Sequence, residues 1–251
     1  IGTARSTARI DVLGAADAID DEESLEAAEG ERVARLRLHA PIVAFGGDRF
    51  VLRGSDVDGP SGAVIGGGRV LDAHPPRTRP RAARRAALEA LREGEAAAIV
   101  RALVAESRPR PLRLTALGAR FATPTRDLEK AADLLMSRGE LAKIKSAGMM
   151  QRAALTELAT KARALVAEHH EKAPLDRGLG RETLRQQLAK SAGVDAADEA
   201  IRLAAATQQA IPGEPVVVEG DVVRLGTFLG GAVGGEVGNA LEKAEKLVAE
   251  A

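Results

Sequence analysis

The chain changes character at residues 72–76, where the sequence Asp-Ala-His-Pro-Pro separates two stretches of different periodicity. Before it, apolar and polar residues alternate with period two, as in Arg49-Phe-Val-Leu-Arg53, which indicates short strands. After it, apolar residues recur at helical spacing, and strand signals return only near residue 140. Because proline cannot continue a sheet ladder, the sequence predicts a small β domain followed by a mainly helical part.

The β domain is predicted to be an antiparallel set of short strands over residues 4–12, 32–38, 42–45, 48–53 and 63–71. In the second of these, Ala34, Leu36 and Leu38 are predicted to face inward, and Arg35 and Arg37 outward. The acidic residues 14–30 are predicted to form a loop. Glycines 66–68 allow positive φ or a close backbone approach, as at a barrel corner. We therefore expect a small antiparallel β-barrel.

The helical part contains one pattern twice, with a spacing of about 70 residues. The first copy is predicted as a helix near 84–106, a short helix near 112–119, a helix from Thr123-Pro124 to Gly139, and a hairpin over 141–149. The second is predicted as helices near 151–171, 180–191 and 195–210, and a hairpin over 216–225. Three helices and a two-stranded hairpin are typical of a winged helix. The predicted domains are 1–76 (barrel), 77–150 and 151–226 (winged helices), and 227–251 (a linker and the first helix of a third winged helix).

The amino-acid composition limits the classes of protein to which this chain can belong. Hydrophobic residues make up 45% of the chain but aromatic residues only 2%, so Ala and Leu must fill the core, which favours thin helical modules. Cysteine is absent, which excludes disulfides and thiolate metal sites. The sequence has no apolar run of membrane-spanning length and no signal peptide. Since it begins at Ile1, we interpret it as a piece of a longer cytoplasmic protein.

The net charge of zero hides an uneven distribution. Residues 1–76 contain 8 Lys/Arg and 13 Asp/Glu, residues 77–145 contain 16 and 8, and residues 146–251 contain 12 and 15. A basic middle would attract a polyanion. The arginines of residues 77–85 have two interpretations, a solvated hinge or an anchor for phosphates. Arginine matches phosphate oxygens bidentately, yet no aromatic residues are interleaved to stack bases.

The sequence contains no recognisable active site. It has no Gly-x-x-x-x-Gly-Lys-Ser/Thr phosphate loop, no nucleophile elbow, and a glycine triplet that opens no helix. The carboxylates of residues 20–26 are interpreted as a solvated loop. All four histidines (His39, His74, His169 and His170) are predicted to lie on the surface, and the adjacent pair cannot form a helical metal site. We expect no enzymatic activity from this chain.

Two segments resemble known translation factors. Residues 49–53, the loop after them and Ile65-Gly-Gly-Gly68 resemble the last two strands of the third domain of elongation factor Tu-type proteins. The ending Gly67-Gly-Arg-Val-Leu-Asp-Ala-His-Pro-Pro76 resembles the selenocysteine-specific elongation factor (SelB) family, whose barrel leads directly into winged helices. The resemblance implies a GTPase that delivers selenocysteinyl-tRNA to the ribosome at recoded UGA codons. It also implies that a messenger hairpin is a partner and that the factor is a cytoplasmic monomer without membrane contact. GTP and Mg²⁺ are expected in a domain preceding this chain, and no cofactor is expected in the chain itself.

The resemblance also implies roles for individual residues. In elongation factor Tu the loop between these strands touches the tRNA backbone, which assigns that contact to Arg53 and extends it to Ser55 and Ser61, although Asp56 and Asp58 would repel phosphate. The proximal winged helices would act mostly as a spacer, with the distal ones binding the messenger hairpin. Together with the basic residues of the middle region, the nucleic-acid-binding candidates are Arg53, Ser55, Arg77, Arg79, Arg81, Arg84, Arg85, Arg108, Arg110, Arg113 and Arg120.

Two other functions fit the same pattern. A tandem winged-helix transcription regulator with an appended barrel would bind DNA through its recognition helices. The second of these helices carries Asp195, Asp198 and Glu199 against only Arg202, and an acidic helix is a poor nucleic-acid reader. The recognition helix of the first winged helix carries both basic and acidic residues. A scaffold without any nucleic-acid role is the third interpretation for the helical modules.

Overall fold

The computed structural model describes residues 4–12, 32–54, 62–76, 80–117, 120–206 and 214–228. The chain divides into two compact units, Ile1–Ala102 with Thr115–Leu128, and Leu103–Leu114 with Glu129–Ala251. The domain limits predicted at residues 76, 150 and 226 remain predictions. The acidic loop of residues 14–30 and the helix of a third winged helix lie outside the described residues.

Among its described residues, the β-barrel-like N-terminal region contains four short strands. β1 (Ala8–Val12) pairs antiparallel with β2 (Ala34–Leu38), and β3 (Arg49–Arg53) pairs antiparallel with β4 (Val64–Arg69). In the described residues these are two separate two-stranded sheets, and the barrel is not closed. The strand predicted over 42–45 was wrong, because these residues join no ladder. The other predicted strands are confirmed, with shorter bounds.

The inward face predicted for residues 34–38 was wrong in part. Ala34 and Leu38 are exposed and Arg35 is half-buried, whereas Leu36 is half-buried and Arg37 exposed, as predicted; Ile10 on the partner strand is exposed as well. Ile10 lies opposite Leu36 across the ladder, so the alternation does place apolar side chains on one face. What alternation cannot predict is whether a second layer covers that face, and in the described part of the chain these side chains stay accessible.

The helix predicted over 84–106 is two helices, α1 (Arg81–Glu93) and α2 (Ala96–Ser107). Gly94 ends α1 with a left-handed φ of 85°, and its N–H donates to the carbonyl of Ala90 at 2.9 Å. The Glu95 carboxylate then accepts from the N–H groups of Ala97 and Ala98 at 3.0 and 2.5 Å, which satisfies the free donors at the start of α2. The continuous apolar periodicity concealed this break.

The region predicted as the first winged helix continues with α3 (Thr125–Ser137) and a hairpin of β5 (Leu141–Ile144) and β6 (Gly148–Gln151). In place of the helix predicted over 112–119, the described residues 112–117 contain a 3-10 turn, Leu114–Ala116. Leu112 forms an antiparallel bridge with Met149 through two hydrogen bonds of 2.7 and 2.9 Å. This bridge adds a third segment to the hairpin.

The second winged helix contains α4 (Arg152–Lys172), β7 (Leu179–Gly180), α5 (Arg181–Ala192), α6 (Val194–Ala205), β8 (Val216–Glu219) and β9 (Val222–Leu225). The sheet order is β7-β9-β8. Leu155, Leu184, Leu188 and Val223 lie at the centre of its core and are almost inaccessible. The predicted hairpin is confirmed in both strands, whereas α6 ends before the predicted residue 210. A β-barrel-like region followed by winged helices confirms the predicted fold class.

Candidate nucleic-acid interface

The β3–β4 pair presents a basic outer face. Arg49, Val51 and Arg53 are exposed, whereas Phe50 and Leu52 are half-buried, which confirms the predicted alternation. Arg49 lies opposite Arg69 in the ladder, so both guanidinium groups belong to the same face. Arg53 donates through Nη1 to the carbonyl of Gly62 at 3.2 Å. Arginine therefore lies at both ends of this face.

The glycine triplet of β4 has a packing role. None of residues 66–68 has a positive φ, so the alternative of a left-handed conformation was wrong. A Cβ on Gly67 would lie 2.6 Å from the carbonyl oxygen of Phe50, and one on Gly68 would lie 2.9 Å from the Phe50 ring. Glycine is needed here because the neighbouring strand and its aromatic ring approach the backbone closely.

Asp72, Arg84 and Arg120 form a buried ion cluster, which we call the Asp72 cluster. Arg120 contacts both carboxylate oxygens of Asp72 at 2.7 Å through Nε and Nη2, and Arg84 Nη2 lies 2.8 Å from Oδ2. The side chain of Asp72 is 2% exposed, and those of Arg84 and Arg120 are 12% and 17% exposed. The cluster joins the segment after β4 to α1 and to the segment before α3.

The electrostatics of the Asp72 cluster favour the ionised carboxylate. Burial alone would raise the pKa of Asp72, but the hydrogen bonds and charge of Arg120 and the charge of Arg84 together hold it below its usual 3.8. The backbone N–H of His74 also donates to Oδ1 at 3.0 Å. The Arg120 guanidinium lies 4.8 Å from the centre of the Phe121 ring. Both arginines are therefore tied to partners within the protein.

The predicted binding residues divide into three groups. Arg84 and Arg120 belong to the Asp72 cluster, which gives them a structural partner that sequence reasoning missed. A usable signal existed, since Asp72 is the only acidic residue between Asp58 and Glu89. The exposed candidates are Arg53, Arg81, Arg85, Arg108, Arg110 and Arg113, of which Arg108 pairs with Glu157 at 2.5 Å. Ser55, Ser61, Arg77 and Arg79 lie outside the described residues.

The start of α6, the predicted recognition helix of the second winged helix, is covered by other residues of the chain. The Ser146 hydroxyl, in the turn between β5 and β6, donates to the Asp195 carboxylate at 2.7 Å. Ala196 and Ala200 of α6 are buried in the same core as Ala142 and Ile144 of β5. Recognition helices contact bases through their first residues, and here the hairpin of the first winged helix lies against that end.

The three acidic residues of α6 (Asp195, Asp198 and Glu199) are half-buried. Glu199 accepts from Arg202 Nε and Nη2 at 2.9 and 2.5 Å, and these hydrogen bonds, with the charges of Arg202, Lys145 and Arg152, hold the pKa of Glu199 below its usual 4.5. By contrast, the charged residues of α3 all stand exposed; they are Arg126, Asp127, Glu129, Lys130 and Asp133. Neither helix presents a uniformly basic surface.

The prediction of four surface histidines was wrong for His170, which is 7% exposed. Its position on α4 places it against the chain segment after β9, which periodicity along α4 alone could not reveal. His39 and His74 are exposed, as predicted, and His169 is half-buried. The described residues contain no group of three or more His, Cys, Asp or Glu side chains that could hold a metal ion.

A cleft of about 440 Å³ lies beside the tip of the β8–β9 hairpin. Its lining mixes both charges, because Arg181 and Arg185 stand with Glu182, Asp198 and Asp221. Arg185 Nη2 already pairs with Glu182 at 2.7 Å. This neutralised cleft therefore adds no anion-binding surface. Within the described residues, no helix is both long and apolar enough to span a membrane.

Family comparisons agree with both halves of this architecture. The β-barrel domain of selenocysteine-specific elongation factor matches residues 1–77, and the winged helix of elongation factor SelB matches residues 163–225. The chain belongs to the SelB family. The SelB barrel match includes all four strands and Asp72, and the SelB winged-helix match extends from within α4 through β9. A comparison with curated proteins gave no match.

Proposed function

We propose that this part of SelB contacts the body of selenocysteinyl-tRNA and forms a winged-helix arm directed toward the messenger hairpin. The whole factor would deliver that tRNA to the ribosome at recoded UGA codons, acting as a cytoplasmic monomer. The observation that carries the proposal is that SelB barrel and winged-helix matches occur in one chain, joined by an arginine-rich stretch. GTP and Mg²⁺ would be bound by another part of the factor, since these 251 residues contain no phosphate-loop sequence.

The tRNA contact is best supported on the outer face of β3 and β4. Exposed guanidinium groups at Arg53 and Arg69 stand near opposite ends of this face. Guanidinium groups bind phosphate oxygens bidentately and contribute affinity without reading sequence. Arg81 and Arg85 on α1 are further candidates. Arg84 and Arg120 rank below them, because a phosphate would have to compete with the buried carboxylate of Asp72.

The contacts around α6 support the proposed role of the winged helices as an arm. The first turn of α6 is hydrogen bonded to the preceding hairpin through Ser146 and Asp195, and the half-buried Glu199 is paired with Arg202. A helix with this environment favours packing over groove binding. The two proximal winged helices would therefore act as a spacer. The same observation disfavours a tandem DNA-binding regulator, which would need α6 free to enter a major groove.

Fluorescence anisotropy with tRNA, the recoding hairpin and duplex DNA, each at several salt concentrations, tests this function. We expect weak tRNA binding that falls with salt, and little binding to the hairpin or to DNA. Arg53→Gln should lower tRNA affinity and reduce the salt slope by about 1, whereas Lys190→Gln on α5, an equal change of charge, should do neither. Tight DNA binding would favour the regulator, tight hairpin binding would overturn the spacer role, and absence of tRNA binding would refute the tRNA contact.

A further inference from the structure

His170 lies in the last turn of α4 and contacts the chain that leaves the second winged helix. Its Nε2 accepts a hydrogen bond from the backbone N–H of Leu225 at 3.2 Å. Its ring stacks on Phe228 with 3.5 Å between centroids and 20° between planes. We call residues 225–228 the outgoing segment. One imidazole therefore contacts both ends of this segment.

Two other side chains fasten the outgoing segment. The Arg224 guanidinium donates through Nη1 to the carbonyls of residues 225, 226 and 228 at 3.2, 3.2 and 3.0 Å, and through Nη2 to Glu219. The Glu214 carboxylate accepts from the N–H of Thr227. A backbone contact adds to these, since the N–H of Gly226 donates to the carbonyl of Pro215 at 2.9 Å. With His170, these contacts hold four residues from α4, from β9 and from the segment before β8.

The contact between His170 and Leu225 requires a neutral imidazole. Nε2 can accept the Leu225 N–H only while it carries no proton, so the proton of the neutral ring lies on Nδ1. Nδ1 is buried and has no hydrogen-bond partner among the described residues. A second proton would replace the acceptor at Nε2 with a donor that faces the Leu225 N–H. The hydrogen bond would then be lost.

The charges around His170 mostly oppose a second proton. His169 on α4 and Arg224 on β9 repel an imidazolium, whereas the Glu214 carboxylate attracts one. Burial is the largest influence, and together with His169 and Arg224 it outweighs Glu214 and holds the pKa of His170 below its usual 6.5. The stack on Phe228 tolerates either form, since an aromatic face also accepts a cation. The hydrogen bond to Leu225 is therefore the pH-sensitive contact.

We propose that His170 is a proton-operated latch, which helps to hold the start of the outgoing segment while neutral and loosens it when protonated. The latch would set the direction in which the chain leaves the second winged helix. Its state would thereby affect the reach of the residues beyond 228. This role concerns the geometry of the arm and does not depend on RNA binding by the chain.

Nuclear magnetic resonance of the full chain tests the latch directly. Long-range ¹⁵N–¹H spectra of the histidine rings should show the Nδ1–H tautomer for His170 at neutral pH. As the pH is lowered from about 8 to 5, the Leu225 amide should lose exchange protection, after correction for the intrinsic rate, with the same midpoint as the His170 ring. The amide of Leu158 in the core of α4 should keep its protection. A Leu225 amide equally protected throughout, or an Nε2–H tautomer, would overturn the proposal.

Three variants separate the latch from general packing. In His170→Gln the side-chain oxygen can accept from Leu225 but does not titrate, so protection of that amide should persist without a pH transition. His170→Leu should lose the protection at every pH. His169→Gln is the matched control, and its transition should remain but move to higher pH, because one repelling neighbour is removed. The same transition in His170→Gln as in the unaltered chain would contradict a role for the imidazole.

Discussion

The two sites that hold the start and the end of the winged-helix region use opposite chemistry. After β4, the Asp72 cluster joins three charged side chains in a nearly inaccessible site. After β9, a neutral imidazole accepts a backbone hydrogen bond and stacks on Phe228. The first site needs its carboxylate ionised, and the second needs its histidine uncharged. Both are joints between a strand and the segment after it, yet they respond to different changes in solution.

The difference predicts how strongly each joint is held. Removing one partner of a buried ion cluster leaves charge without compensation, which is costly. Losing one hydrogen bond to a backbone amide costs much less, particularly beside exposed residues. The joint after β4 should therefore stay closed under most conditions, whereas the joint after β9 should begin to open once the pH falls below about 6.5.

Asp72→Ala should have the largest effect. Arg84 and Arg120 would then be left without their buried carboxylate, and we expect a loss of about 3–5 kcal/mol in the stability of α1. Hydrogen exchange of the α1 amides reports on this part of the chain alone. Glu157→Ala, which removes the exposed partner of Arg108, is the control and should cost less than about 1 kcal/mol. If the two substitutions lowered stability equally, burial would add nothing to the stability that the Asp72 cluster provides.

Acid should open the two joints in a fixed order. His170 has a lowered pKa, so its contribution is complete above 6.5 and declines as the pH falls through 6.5 toward the folded value. Asp72 also has a lowered pKa, so its contribution is complete above 3.8 and is lost only below that value. Amide exchange measured across this range should show release of residue 225 first and of α1 later. Release of α1 before residue 225 would contradict the proposed difference between the two joints.

Arg120→Lys should weaken the Asp72 cluster while keeping its charge. An ammonium group cannot reproduce the two parallel hydrogen bonds to Asp72, so we expect a loss of about 1.5–3 kcal/mol at the α1 amides. Arg202→Lys is the matched control, because Arg202 binds Glu199 with the same two-point geometry while its own side chain is 69% exposed. It should cost less than about 0.5 kcal/mol. A loss at α6 as large as that at α1 would indicate that geometry, and not burial, determines the cost.

Ser146→Ala should have the smallest effect. It removes the hydrogen bond to Asp195 between the first hairpin and α6, at a cost of about 0.5–1 kcal/mol. Amide exchange in the first turn of α6 is the measurement. Ser137→Ala, whose hydroxyl donates to Leu134 in its own helix, is the control and should leave α6 unchanged. Unaltered exchange in both variants would show that packing alone holds α6 against the hairpin.

Local patterns predicted the elements well where one rule decides the conformation. The hairpin of β8 and β9 was predicted to the residue, because alternating valines flank Gly220-Asp221, a turn sequence. The break at Gly94 was missed because apolar residues continue on both sides of it at helical spacing. β7 was also missed, since two residues carry no periodicity.

The contacts of the candidate site were harder to predict because they join distant residues. Asp72 and Arg120 are 48 residues apart, and His170 and Leu225 are 55 apart. A single sequence shows that charge and histidine are present but not which partner each will meet. The exposed arginine at Arg53 was predicted from strand alternation alone, whereas the burial of Arg84 and Arg120 required the fold.

The buried alanines of α6 limit how this arm can diversify. Ala196, Ala197 and Ala200 have no accessible surface, and Ala204 has very little. A larger side chain at any of these positions would force the helix away from α4 and from the preceding hairpin. Substitutions that survive selection should therefore collect on the outward positions of α6, such as Asp198 and Arg202. Evolution could change the charge of that surface gradually. It could not make the buried face of α6 available to a new partner without rebuilding the core against which these alanines pack.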